Sequence, residues 1–173
     1  YDIDREGDTH YMVMEYVTGK DLKAIVLNKG PLPLVKAAYY IGQAATGLQH
    51  AHDGGLVHRD IKPSNILINS NGQVKLSDFG VSKELQNSIA MCSTFVGTFK
   101  YMSPEQAAGL GRDVDARADV YSLCVILYEM LTGTTPFSGS PQQMLLQISR
   151  DEPLRPSQRD SAIPWELDAV CLK

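Results

Sequence analysis

Four side chains within nineteen positions could do chemistry together: Asp60, Lys62, Asn65 and Asp78, in the stretch "HRDIKPSNILINSNGQVKLSDF". The charged run His58 to Lys62 is wedged between apolar residues, and desolvated charges need partners. Asn71-Gly72 between the short apolar runs "ILI" and "VKL" is a strong hairpin signal. Such a hairpin sets Ile66 to Ile68 beside Val74 to Leu76, so Asn65 and Asp78 emerge at the same end. An amide oxygen beside a carboxylate suits a hard, oxygen-preferring cation such as Mg²⁺. Asp60 lies five residues before Asn65 on the same loop, and Lys62 adds a positive charge. A carboxylate, a lysine and a metal around one point match the needs of phosphoryl transfer, where a proton is accepted and phosphate charge neutralised.

The elements that must position these groups can be read along the chain. "THYMVMEYV" (Thr9 to Val17) is β-branched and aromatic enough for a strand, with "YDIDRE" as its hairpin partner across Gly7-Asp8. "DLKAIVLNKGP" reads as a helix stopped at Gly30-Pro31. Leu34 to His52 reads as a longer helix with Ala38, Ile41, Ala45 and Leu48 on its apolar face. Lys83 to Lys100 has no period and is expected to be a long loop. Asp119 to Leu131 predicts an apolar helix ending before Gly133, and "SPQQMLLQISR" a further short one. The tail "DEPLRPSQRDSAIPWE" is expected to be irregular.

Composition excludes some functions. The chain has 173 residues, 43% of them hydrophobic and 21% charged, enough for one domain with a real core. Sixteen basic and twenty acidic side chains give a net charge of −4 without a basic tract, which argues against nucleic-acid binding. No apolar run reaches the ~18 residues of a membrane span, so no membrane contact is expected within this segment. Three cysteines without paired spacing suit free thiols in a reducing compartment, hence a cytoplasmic location, with any membrane anchor outside this segment. Tyr1 opens inside a strand-like stretch and "WELDAVCLK" stops inside a helical one, so a longer parent is expected.

His58 to Asn65 resembles the catalytic loop of protein kinases, and Asp78-Phe79-Gly80 resembles their metal-binding triplet. Ser103-Pro104-Glu105 follows 22 residues later, where that family usually has Ala-Pro-Glu. "VMEYV", "DIKPSNIL" and "YMSPEQ" are similar to the eukaryotic-like (Hanks-type) serine/threonine kinases of bacteria. The resemblance implies an α+β, protein-kinase-like fold. Residues 1–17 would be strands and hinge of the small lobe, and residues 18–173 most of the helical lobe. It implies transfer of the ATP γ-phosphate to Ser/Thr of a protein substrate, with Mg²⁺ or Mn²⁺.

Under that resemblance Asp60 would orient and deprotonate the hydroxyl, aided by Lys62, while Asn65 and Asp78 would hold the metal. Met14 would be the gatekeeper, Glu15 and Val17 would offer hinge backbone to adenine, Asp21 would meet the ribose, and Leu67 would be the adenine floor. Arg59 would grip a phosphate on the following loop, with Ser93 and Thr94 the favoured acceptors over Ser88, and Thr98 would contact the catalytic loop. His58, Phe79, Glu105 and Asp119 would be supports, Asp119 by tying down the backbone of the charged run. His10, His50 and His52 are assigned nothing. No G-x-G-x-x-G and no "VAIK"-like strand occurs in the 173 residues. The expectation is therefore an active parent enzyme and an isolated segment that is inactive. The alternatives are a non-catalytic, pseudokinase-like scaffold and a small-molecule phosphotransferase. Intact Asp60, Lys62, Asn65 and Asp78 weigh against the first. Arg59 and "GTFKYMSPE" weigh against the second.

Overall fold

The computed structural model describes residues 2–79, 99–109 and 114–172, and its architecture is α+β. The first hairpin pairs β1 (Asp2–Glu6) antiparallel with β2 (Thr9–Val13), Asp4 opposite Tyr11. The Tyr11 hydroxyl donates to the Asp4 carboxylate at 3.2 Å, a cross-strand pair of the kind that fixes register. The strand is shorter than the sequence implies, because Met14 to Val17 pair with no other strand among the described residues. In that stretch Glu15 reaches across to Lys75 at 3.1 Å.

A second sheet builds the site. Its order is β3 (Gly19–Asp21), β4 (Ile66–Asn69), β5 (Val74–Leu76), all antiparallel. Ile66 faces Leu76 and Ile68 faces Val74, the register expected from the turn residues. The turn is closed by Asn69, whose side-chain oxygen accepts from the backbone N–H of Asn71 and of Gln73. Gly72 sits at φ +78°, the left-handed conformation that glycine adopts without steric cost. The third strand, β3, was not legible beforehand. It approaches β4 so closely that a Cβ on Gly19 would fall on the Ile68 carbonyl oxygen.

Helices cover this sheet. Asp21 caps α1 (Leu22–Lys29) by accepting from the Ala24 N–H at 2.7 Å, and Gly30 ends it. The long α2 (Leu34–Asp53) packs on α4 (Ala116–Thr132), with Leu48, Leu123, Ile126, Leu127 and Met130 in one core with Ile61, Ile66 and Ile68. Each fully buried aliphatic side chain contributes about 1.5–3 kcal/mol. The buried face of α2 is Ala37, Tyr40, Ala44 and Leu48, whereas Ala38 and Ala45 are exposed. Half of the expected face holds, since Leu48 is buried and Ile41 packs against the core. The two alanines are displaced by one position, so that the Tyr40 ring is buried between Ala37 and Ala44.

The remaining elements brace the site from below. A single turn at Phe99–Tyr101, overlapping the end of the stretch expected to be loop, leads to α3 (Pro104–Ala107). Asp115 caps α4, which starts three residues before the expected Asp119. After α5 (Pro141–Arg150) the tail is not irregular: it holds α6 (Pro156–Arg159) and the start of α7 (Trp165–Leu172). Pro156 occupies the first turn of α6, where its missing N–H costs nothing, so proline here starts a helix. Among the described residues no helix is long and apolar enough to cross a membrane.

Candidate active site

The charged run is held in an unusual backbone shape by a buried carboxylate. Arg59 has φ +66°, a conformation that disfavours a side chain by roughly 1–2 kcal/mol. Asp119, only 1% exposed, accepts from the His58 N–H at 2.9 Å and from the Arg59 N–H at 2.7 Å. Hydrogen bonds to a charged acceptor contribute about 1.5–3 kcal/mol each, so the pair outweighs the strain. Asp119 lies in the first turn of α4, where the helix dipole favours a negative charge. His52, at the end of α2, places Nε2 2.8 Å from the same carboxylate. Gln106 of α3 donates from Nε2 to the Arg59 carbonyl at 2.8 Å. Three helices thus converge on three consecutive peptide units, α2 through the Asp119 carboxylate.

That clamp aims Asp60. The Lys62 ammonium donates to Asp60 Oδ2 at 2.6 Å, and Asn65 Nδ2 lies 3.5 Å from the same oxygen. Asn65 Nδ2 also donates to the Asp60 carbonyl at 2.9 Å, which orients its amide. Asn65 is buried, in a single helical turn (Pro63–Asn65) just before β4. The Ser77 N–H donates to the Asn65 carbonyl at 3.0 Å, so the end of β5 lies beside Asn65 and Asp78 follows at once. Asp78 has φ +64° and is exposed, and its carboxylate has no hydrogen-bond partner among the described residues.

His58 joins the two halves. Fully buried, it donates from Nε2 to the Ser77 carbonyl at 2.8 Å and accepts the Asp60 N–H on Nδ1 at 3.3 Å. Both ring nitrogens are used, which suits one neutral tautomer. The Phe79 ring packs against it, centroids 4.5 Å apart. Gly80, Ser88, Cys92, Ser93, Thr94 and Thr98 lie outside the described residues.

Of the five residues expected around a nucleotide, three meet. Val17, Asp21 and Leu67 line a cavity of about 360 Å³ between β3, α1 and β4. Met14 and Glu15 do not line it: Met14 is half exposed, and the Glu15 side chain is engaged with Lys75. One oxygen of Asp21 is spent on the α1 cap. Asn65 and Asp78 offer only oxygen ligands, the Asn65 amide nitrogen is turned onto a carbonyl, and the Asp78 carboxylate is open, a set that fits a hard divalent cation sharing its shell with phosphate and water. Among the described residues there is no cluster of three or more acidic, His or Cys ligands.

The remaining candidates are placed as follows. The Arg59 guanidinium donates to the Val114 carbonyl at 3.3 Å and pairs with no carboxylate among the described residues. Glu105 sits in the first turn of α3, behind the reciprocal cap of Ser103 and Gln106. Sequence reasoning missed two contributors. His52 carried no pattern at all, whereas Ser103-Pro104-Glu105-Gln106 could have been read as a capping box.

The family model described as the protein kinase domain matches residues 1–168. This chain belongs to that family. The serine/threonine-protein kinase PknB of Mycobacterium leprae is 45% identical over 96% of the chain, and that of Mycolicibacterium smegmatis 46% identical over 96%. A probable serine/threonine-protein kinase of Clostridium perfringens is 42% identical over 99%. The chain spans about a quarter of the length of these curated relatives, 27%, 27% and 25% respectively. The protein kinase domain family in general uses ATP and a divalent metal, and its name implies protein substrates.

Proposed function

We propose that the full-length protein transfers the γ-phosphoryl group of ATP to serine or threonine hydroxyls of protein substrates. The observation that carries this reading is the Asp60 carboxylate, fixed on one oxygen by Lys62 and aimed by backbone that Asp119 clamps. The other oxygen is left to orient a substrate hydroxyl and take its proton as the bond to phosphorus forms. Lys62 spreads positive charge over the transferring group. Asn65 and Asp78 are the residues that would hold Mg²⁺, which when bound neutralises phosphate charge. Val17 and Leu67 would contact adenine and Asp21 the ribose, whereas Met14 and Glu15 do not line that cavity.

Residues 1–17 are read as small-lobe strands and hinge, and residues 18–173 as helical lobe. Arg59 would receive a phosphate placed on Ser93 or Thr94 as a charge-assisted, bidentate pair, and Thr98 would touch the catalytic loop. A cytoplasmic location for this segment rests on the need for ATP and on the free thiols Cys124 and Cys171. The test is to incubate the full-length protein with labelled ATP, Mg²⁺ and a protein substrate, then hydrolyse the product. Labelled phosphoserine or phosphothreonine, lost on chelating the metal, is expected. Label confined to phosphotyrosine or to small molecules would contradict the proposal.

A further inference from the structure

Beside the catalytic loop lies a cavity of about 610 Å³ between α1, the Phe99–Tyr101 turn and the end of α4. Its charge runs against that of the molecule. Lys23, Lys62 and Lys100 line it with a single carboxylate, Glu129, in a chain whose net charge is −4. That carboxylate is engaged: the Tyr101 hydroxyl donates to Glu129 at 2.8 Å. Burial, and then the Glu129 charge, push the Tyr101 hydroxyl far above its ordinary pKa, so the hydrogen bond persists across the working pH range. Lys62 is committed to Asp60. Lys23 and Lys100 have no carboxylate partner among the described residues, and they come from opposite walls, α1 and the Phe99–Tyr101 turn.

A cleft in which one sign of charge predominates focuses its field and concentrates ligands of the other sign. The cleft adjoins Lys62, and Lys62 touches Asp60, so whatever occupies it lies next to the hydroxyl that Asp60 would activate. We infer that this cavity reads acidic side chains flanking the acceptor residue, making the protein selective for substrates with Asp or Glu near the phosphorylated hydroxyl. The inference rests on the proposed kinase activity and adds the class of substrate. Lys23 and Lys100 are its specificity residues, each facing one peptide carboxylate. Partly exposed pairs of this kind change affinity a few-fold each, and reversing both charges turns two attractions into two repulsions.

The experiment measures kcat/KM of the full-length protein for three peptides sharing one acceptor, flanked by Asp/Glu, by Asn/Gln or by Lys/Arg. The wild type is expected to favour the acidic over the basic peptide about tenfold or more. In Lys23→Glu/Lys100→Glu that ratio should fall at least about tenfold, and the wild-type preference should shrink with added salt. If the double reversal does not fold, Lys23→Gln/Lys100→Gln should still cut the ratio about threefold. Equal use of the three peptides by the wild type, or a ratio unmoved in whichever variant folds, overturns this inference and leaves the kinase activity standing. Failure to phosphorylate any peptide or protein overturns both.

Discussion

At the scale of the residue, the site depends on a carboxylate that touches no reacting atom. Asp119 holds two backbone N–H groups and faces His52, and all three contacts are buried or half-buried. In Asp119→Asn one oxygen becomes a donor, which then faces either an N–H group or His52. A buried polar group turned against its partners costs about 1–3 kcal/mol, more where charge is lost. Asp119→Asn should therefore lower unfolding stability by about 2–4 kcal/mol in urea titration, and reduce kcat more than it raises KM for ATP. A variant as stable and as fast as the wild type would show that the Arg59 backbone needs no clamp. Asp119 was legible through the kinase resemblance, which implied its tie to the charged run and accounts for an acid leading an apolar helix. His52 was not, since its partner lies 67 positions away and one histidine at a helix end carries no spacing signal. Gln106, 47 positions from Arg59, was hidden for the same reason, although its cap was readable.

At the scale of the element, local chemistry was readable and phase was not. The β4–β5 hairpin follows from Asn71-Gly72 and two short apolar runs, because turn geometry fixes register. Gly72→Ala should cost about 1 kcal/mol through the φ +78° it must keep, a few degrees in melting temperature, with the register intact by amide exchange. On α2 Ile41 and Leu48 were placed correctly and the alanines were not, because alanines stand on both sides of that face and only tertiary packing chooses between them. The proline-containing tail was expected to be irregular, although Pro156 starts α6. Packing of α7 on α4 has its own signature in the thiols. Cys124 donates to the Val170 carbonyl at 3.2 Å, and burial, then the neighbouring Cys124 and Asp168, push the Cys171 thiol up to about 12 from 9.0. Only the thiolate alkylates, so at pH 8 Cys171 should react about 1000-fold more slowly folded than unfolded, measured peptide by peptide. The stability carried by this shift is fully present below pH 9 and is lost as pH rises through about 12. Alkylation at the unfolded rate would mean that α7 does not shield this thiol.

At the scale of the whole molecule, α2, α3 and α4 and the three-stranded sheet share one task, the placing of the segment from His58 to Asn65. The α+β architecture was legible because each short apolar run carried its own turn or stop signal. What lay beyond reading was how elements meet: β3 beside β4, and the basic cleft between α1 and the Phe99–Tyr101 turn. Membership of the protein kinase domain family sets the expectation for the chemistry, and the geometry around Asp60 gives it residues. The decisive measurement is single-turnover phosphoryl transfer from Mg²⁺-ATP to a protein substrate by the full-length protein and by Asp60→Asn. The variant should fold and bind nucleotide as the wild type does, while transfer slows at least about 100-fold, the scale of a lost general base. Transfer at the wild-type rate would contradict the account at its centre.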